Sequence, residues 1–295
     1  MSVCSDRINR LAAHYNYTHY LEIGVFKGET FHNVNMQHRS AVDPNFLFNI
    51  SDYESLPNTY FFTQKSDEFF SNMDKIHNEV YNQKIFYDIV YIDGLHVFKQ
   101  ALRDFTNSLM HTHEKTIWIF DDTIPCDPWS SLPNQKQCYK LRDLAGSKSR
   151  AWHGDVFKCV FTIHDFYPDI SYATVYDHGN PQTVCWRTKY PAQRKRIFNN
   201  IDNIAFLSYF DMLENCYVLN LIKDDELESH IGECFESPSK DSVMYLPLII
   251  KNILKDKENS AHASPPNHTQ NSFFRLKNVW HSIRNLFLQK KKELS

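Results

Sequence analysis

Residues 87–93 read Tyr-Asp-Ile-Val-Tyr-Ile-Asp, and Gly94, Leu95 and His96 follow. An apolar run of strand length that stops on an acid and a glycine is the pattern of a buried strand entering a loop. The same pattern recurs on both sides. Tyr20-Leu-Glu-Ile-Gly24 stops on a glycine, and Ser40-Ala-Val-Asp43 stops on an acid before Pro44. Thr59-Tyr-Phe-Phe-Thr63 is a third run, and Thr116-Ile-Trp-Ile-Phe-Asp121 ends on an acid with Asp122 behind it. Helical patterns lie at about 5–15, from Gly28 to about Gln37, from Ser66 to about Val80 and from Val97 to about Met110. Strands that are continuously apolar, alternating with helices, predict a parallel sheet covered on both faces. Further on, Val156–Ile163, Ser171–Tyr176 and Thr183–Arg187 read as strands in close succession, which predicts an antiparallel edge.

In open parallel sheets ligands bind at the carboxyl ends of the strands. Gly24, Asp43, Asp93 and Asp121 occupy those ends. The loop Glu22-Ile-Gly-Val-Phe-Lys-Gly28 is not the G-x-G-x-x-G of dinucleotide enzymes, but its glycines let the backbone approach a ligand. Asp43 falls 19 residues after Gly24, close to where a ribose diol needs an acceptor. Three carboxylates at neighbouring strand ends, Asp93, Asp121 and Asp122, repel one another unless a cation lies among them, and hard oxygen ligands suit Mg²⁺. His96 then lies close enough to take a proton from a hydroxyl acidified by that cation. For Asp122 alone, an ordinary turn or helix-cap role is equally open. The block Trp152-His-Gly-Asp155 reads either as a turn or as a wall of the acceptor side.

Composition bounds these readings. Seven glycines in 295 residues compare with an average usage of about 7%. That excludes collagen-like and Gly-linker chains. Four of the seven (Gly24, Gly28, Gly94 and Gly154) fall in the segments just quoted. The net charge of −3 gives no global case for nucleic-acid binding. Seven cysteines without a C-x-x-C pair argue against a disulfide framework and for a reducing compartment.

The ordered blocks YLEIGVFKGETF, VDP, TQKSDEFF, YDIVYIDGLHVFKQALRDF, IWIFDDTIP and WHGDVFKCV resemble the class I S-adenosylmethionine-dependent methyltransferases. More narrowly they are similar to the branch found in bacterial polysaccharide gene clusters and among macrolide sugar O-methyltransferases. The resemblance covers about residues 5–190. It implies an α/β, Rossmann-like, mostly parallel seven-stranded sheet with helices on both faces and an antiparallel edge, followed by a C-terminal extension. It implies S-adenosylmethionine bound by Glu22, Gly24, Gly28, Asp43, Ser66, Asp67 and Asp93. It implies a divalent cation, Mg²⁺, on Asp93, Asp121 and Asp122, with His96 as general base and Asp93 beside it in catalysis. That branch often has Glu where Asp121 stands, so the shorter side chain is a departure that puts the cation site in question. The implied reaction is methyl transfer to a sugar hydroxyl of a glycan acceptor in capsule or O-antigen synthesis. A catalytically degenerate scaffold on the same fold is the first alternative, and a Rossmann-type oxidoreductase the second.

The domain reading is a methyltransferase domain over 1–190, an extension over 191–258, a polar linker over 259–272 and a basic amphipathic helix over 273–295. The last segment spaces Phe273, Leu276, Trp280, Ile283 and Phe287 helically. It carries Arg275, Lys277, Arg284 and Lys290–Lys292 against a single acid, Glu293. Such a face fits an anionic membrane surface, a partner protein through 273–292, or the protein's own body. The expected location is cytoplasmic, at the inner face of the membrane if the tail binds there, and an oligomer is open. The N-terminal residues lack a secretory h-region.

Overall fold

Chain order and burial explain how the strand ends are brought together. In the computed structural model, which describes residues 3–53 and 55–236, helix α1 (Val3–Tyr15) buries Ile8, Leu11 and Ala12. Strands β1 (His19–Ile23), β2 (His38–Val42) and β3 (Thr59–Phe62) follow. Helices α2 (Ser66–Ser71) and α3 (Met73–Glu79) then lead into β4 (Tyr87–Ile92). Next come α4 (Phe98–Ser108), β5 (Thr112–Phe120), α5 (Gln135–Leu144) and α6 (Phe157–Phe166). Strands β6 (Ile170–Val175) and β7 (Gln182–Arg187), helices α7 (Ile201–Ala205) and α8 (Tyr209–Glu214), the short β8 (Leu221–Ile222) and α9 (Leu227–Glu236) complete the described chain.

The strands form one eight-stranded sheet in the order β3-β2-β1-β4-β5-β7-β6-β8. The fold is therefore Rossmann-like, with the winding direction reversing between β1 and β4, the point at which open sheets of this kind bind ligands beyond their carboxyl ends. Two apolar layers clothe the sheet. On one face Leu21, Val90, Ile92, Trp118 and Phe120 pack with Phe69, Phe105, Phe157 and Phe161. On the other, Tyr20, Ile89, Tyr91 and Ile119 pack with Ile8, Leu11 and Phe31. The alternation along β4 is what a strand covered on both sides requires.

Four expectations need correction. Residues 156–163 are not a strand: they belong to α6, in which every residue from Phe157 to Asp165 is buried. A segment apolar all round looks the same in either secondary structure. The helix expected from Gly28 to Gln37 is a single 3₁₀ turn, Phe31–Asn33. The Asn9 side chain of α1 donates to Asn33 O and accepts from Asn35 N, taking backbone groups a helix would have used. The sheet has eight strands, not seven, because β8 from the extension pairs parallel with β6. The antiparallel element is not the edge but β7 alone, which runs against both β5 and β6.

Residues 191–236 are thus joined to the sheet. Arg7 and Arg10 of α1 both pair with Asp224. The linker and the basic amphipathic segment fall outside the described residues, as does the end of the extension. Among the described residues no helix is long and apolar enough to cross a membrane, and six cysteines are free.

Candidate active site

The strand ends are stitched edge to edge by backbone hydrogen bonds: Asp43 N to Phe62 O (3.2 Å), Gly24 N to Val42 O (2.9 Å), Asp93 N to Ile23 O (2.9 Å) and Asp121 N to Ile92 O (3.1 Å). Ladder pairing therefore continues one residue past each strand and delivers the four sequence-selected positions to one rim. Gly24 is required there. Its φ is +88°, and a Cβ would lie 2.2 Å from Asp93 O, closer than any side chain tolerates.

Asp43 is buried and organises the first loop. Its Oδ2 accepts from Phe26 N (2.8 Å) and its Oδ1 from Asn45 N (2.7 Å). Each carboxylate oxygen keeps acceptor capacity for a diol. Gly28 has φ +77°, and its missing side chain makes room for the His32 ring, 2.2 Å from where a Cβ would be; its demonstrable role is packing of the loop. Glu22 lies inside β1, ahead of Gly24. It is fully buried and accepts from the Tyr20 hydroxyl (2.6 Å), and burial, with Asp93, Asp121 and Asp43 nearby, raises its carboxyl well above the ordinary value. Ser66 and Asp67 start α2 against α4. Ser66 Oγ donates to Asp104 Oδ1 (2.6 Å), Gln100 Nε2 donates to the same oxygen (2.9 Å), and Asp67 pairs with Arg103 (2.5 Å). Burial pushes Asp104 up to about 6.

At the end of β4 and β5 the structure gathers Asp93, His96 and Asp122, whose ligand atoms lie within 4.8 Å of one another. His96 bridges the two acids, with Nε2 at 3.3 Å from Asp93 Oδ1 and Nδ1 at 2.8 Å from Asp122 Oδ2. Burial would discharge the ring, but its hydrogen bonds and charges with Asp122 and Asp93 push it up to about 11. Burial and Asp121 push Asp93 up to about 7. Asp122, despite its burial, is held below the ordinary range, chiefly by His96. It sits at φ +58°, a left-handed backbone that costs about 1–3 kcal/mol for a non-glycine residue and concentrates at functional sites.

Asp121, expected among the cation ligands, does not join this cluster. Both its oxygens are engaged: Oδ1 accepts from Asp122 N (2.9 Å) and Asn180 Nδ2 (2.8 Å), and Oδ2 accepts from the Tyr91 hydroxyl (2.7 Å). His96, expected as the general base, has Asp93 and Asp122 on its two ring nitrogens, with Trp152 O also 3.1 Å from Nδ1.

The 152–155 block wraps His96. Trp152 stacks on its ring (centroids 4.9 Å apart, 20° between planes). His153 Nε2 lies 3.9 Å from Asp122 Oδ1, and burial lowers its pKa. Gly154 has φ +62°, and a Cβ there would overlap His96 O at 1.6 Å. Asp155 Oδ1 accepts from Phe98 N (2.7 Å), so an acid from a distant segment caps α4. Sequence reading saw this block only as a turn or wall. It also missed Asn180, whose amide donates to both Asp121 and Asp122 (2.8 and 2.5 Å) from a turn with no motif of its own.

Two carboxylates and an imidazole match the donor set of Mg²⁺ or Mn²⁺. The cluster also has the electrostatics of a cation site: Asp93 and Asp122 both face one imidazole, Asp121 lies behind them, and Asp93 and Asp121 are raised. A divalent ion held by Asp93, Asp122 and the His96 edge would relieve that excess.

Residues 21–123 match the model of a methyltransferase domain. No curated protein matches the chain. Similar solved structures include the O-methyltransferase TomG from Streptomyces achromogenes in complex with SAM, at 13% identity over 62% of this chain and 79% of that one, with a TM-score of 0.38. A putative caffeoyl-CoA O-methyltransferase from Staphylococcus aureus aligns at 14% identity over 63% and 84%, TM-score 0.43. An O-methyltransferase from Bacillus cereus in complex with SAH aligns at 14% over 62% and 80%, TM-score 0.40.

Proposed function

We propose that the protein is an S-adenosylmethionine-dependent O-methyltransferase that uses a divalent cation and methylates a sugar hydroxyl in capsule or O-antigen synthesis. The observation that carries this reading is the convergence, on one rim of a methyltransferase-domain sheet, of the Gly24 loop, Asp43 and the Asp93–His96–Asp122 cluster. The sugar acceptor is supported by the ordered sequence blocks, which resemble sugar O-methyltransferases, and by the chemistry the cluster offers a weak acid.

In this reading Asp43 accepts the two ribose hydroxyls, Gly24 lets the backbone pass close to the donor, and Ser66 and Asp67 face the adenine end. Asp93 and Asp122 hold the cation. When bound, that ion lowers the pKa of a hydroxyl placed on it. The acceptor oxygen forms its bond to the methyl carbon as the carbon–sulfur bond breaks, and the sulfur keeps the electron pair. The acceptor proton must go elsewhere. His96 receives it once Asp93 and Asp122 no longer hold both ring nitrogens. Trp152 fixes the plane of that ring. Alignment and proton removal are the protein's tasks, because the sulfonium donor is already activated.

Methyl transfer from labelled S-adenosylmethionine to a panel of sugars, with Mg²⁺ and with EDTA, tests this. The expected result is cation-dependent transfer to a hydroxyl. His96→Ala should lower it by about 10²–10⁴-fold while leaving S-adenosylhomocysteine affinity intact. Transfer only to nitrogen or carboxyl acceptors would overturn the sugar reading.

A further inference from the structure

Asp121 is not a member of the cation cluster, yet it is the most heavily served acid in the site, and the chain of donors behind it leads to the far side of the sheet. Arg7 of α1 has a side chain with no exposure at all, and its Nε donates to Asp224 Oδ1 at 2.6 Å. A second guanidinium nitrogen donates to Gln182 Oε1, and a third to His178 O (2.9 Å).

From Gln182 the sequence of donors has one direction. Arginine carries donors only, so Gln182 must turn its oxygen to Arg7 and its NH₂ to Tyr91, whose hydroxyl oxygen receives it at 3.2 Å. With an oxygen lone pair taken in this way, the Tyr91 O–H is aimed at Asp121 Oδ2 (2.7 Å). Asp121 in turn accepts the N–H of Asp122 (2.9 Å), which holds Asp122 in its left-handed conformation.

The second branch passes through the turn between β6 and β7. Arg7 binds His178 O, Asp177 accepts from Asp224 N (2.9 Å), and Gly179 at φ +77° lets the turn pack against Val3. Asn180, next along, bridges Asp121 and Asp122. Both branches start at one buried guanidinium and end on the same two acids.

Resting on the cation reading of the site, we propose that Arg7, Gln182, Tyr91 and Asn180 are positioning residues for the Asp93–His96–Asp122 site. The C-terminal extension, through Asp224, completes the site by fixing Arg7. Partners behind metal ligands typically change affinity by about 10–100-fold. The N-terminal helix and the extension are then parts of the site, and Cys4 of that helix itself accepts from Gln182 Nε2 (3.0 Å).

The test measures Mn²⁺ and S-adenosylhomocysteine binding by calorimetry on the full chain, with thermal unfolding alongside. Tyr91→Phe removes one hydroxyl and keeps the ring. Gln182→Glu presents acceptors to Tyr91 as well as to Arg7, so the hydroxyl proton is drawn away from Asp121. Each is expected to weaken Mn²⁺ binding about 10–100-fold with S-adenosylhomocysteine affinity unchanged. The double variant should be no weaker than Tyr91→Phe alone, because Gln182 acts through Tyr91. Asn180→Ala, on the second branch, should add to either. Folded variants with Mn²⁺ affinity within about twofold of wild type, or Gln182 and Tyr91 losses that simply add, would overturn the proposal. A wild type that binds S-adenosylhomocysteine but no Mn²⁺ overturns it too and leaves cofactor binding standing. The expected variant pattern in a protein that transfers no methyl group supports the positioning chain and removes the proposed function.

Discussion

The two ends of the same strands carry acid–histidine clusters of opposite character. At the amino ends, Asp88 meets His113 Nε2 at 2.8 Å, and its Oδ2 accepts the N–H groups of Thr18 and His19 at 2.7 Å each. His19 stacks on His38 of the neighbouring strand, 4.4 Å away and nearly parallel, because the parallel register puts them side by side. Despite its burial Asp88 is held below the ordinary carboxylate range by His113 and those N–H groups, and His19 is lowered by burial and His38. One acid has all the donors it needs. At the carboxyl ends Asp93 and Asp122 share His96, Asp93 and Asp121 are raised, and Asp122 sits in a left-handed conformation. The first cluster is a tie between strand starts. The second is rich in acids and built on left-handed backbone at Gly24 and Asp122.

The largest expected effect breaks the carboxyl-end packing outright. Gly24→Val drives a side chain into Asp93 O and occupies a positive φ, so overpacking and strain together should cost roughly 3–5 kcal/mol. Thermal unfolding should show a large fall, together with loss of S-adenosylhomocysteine binding. At the other end, His38→Val should cost about 1 kcal/mol and leave that binding unchanged.

Removing charge should separate the clusters more finely. Asp93→Asn or Asp122→Asn should weaken Mn²⁺ binding at least about 100-fold, read by calorimetry. Asp88→Asn should lower the unfolding midpoint with Mn²⁺ affinity unmoved. Equal Mn²⁺ loss in all three would erase the distinction.

Asp104 gives a pH signature. Its carboxyl is raised by burial from the ordinary 3.8 to about 6, so the folded state binds the extra proton, and stability falls as pH rises across about 4 to 6. Asp104→Asn keeps acceptors for Ser66 and Gln100 and should remove that slope. Denaturant unfolding at pH 4 and pH 7 should show a gain on the order of 1–3 kcal/mol at the higher pH only. The smallest effect belongs to the exposed Asp67–Arg103 pair: Arg103→Ala should change stability by less than about 1 kcal/mol.

The sheet core and its rim were legible because their signals are local. Each strand announces itself as an apolar run and each rim position as the residue that ends it. Gly24, Asp43 and Asp93 follow their strands directly, and the structure brings Asp93 together with His96 and Asp122. What sequence could not assign was long-range or ambiguous. Residues 156–163, apolar on every face, read as strand and fold as helix. Asp121 and Asp122 are neighbours of identical type, and only the hydrogen bonds from Tyr91 and Asn180 separate the supporting acid from the one facing His96. The 152–155 block lies more than fifty residues from the histidine it encloses. Arg7 and Asp224 are 217 positions apart, beyond any motif.

The central claim is that the carboxyl rim is a nucleoside-cofactor site with Asp43 as the ribose acceptor. Calorimetric titration of S-adenosylhomocysteine into the wild type and Asp43→Ala tests it most directly. The account predicts saturable one-site binding to the wild type and an affinity lower by about 10–100-fold in the variant, the worth of a charge-assisted hydrogen bond. A wild type that does not bind, or a variant that binds equally well, would contradict it.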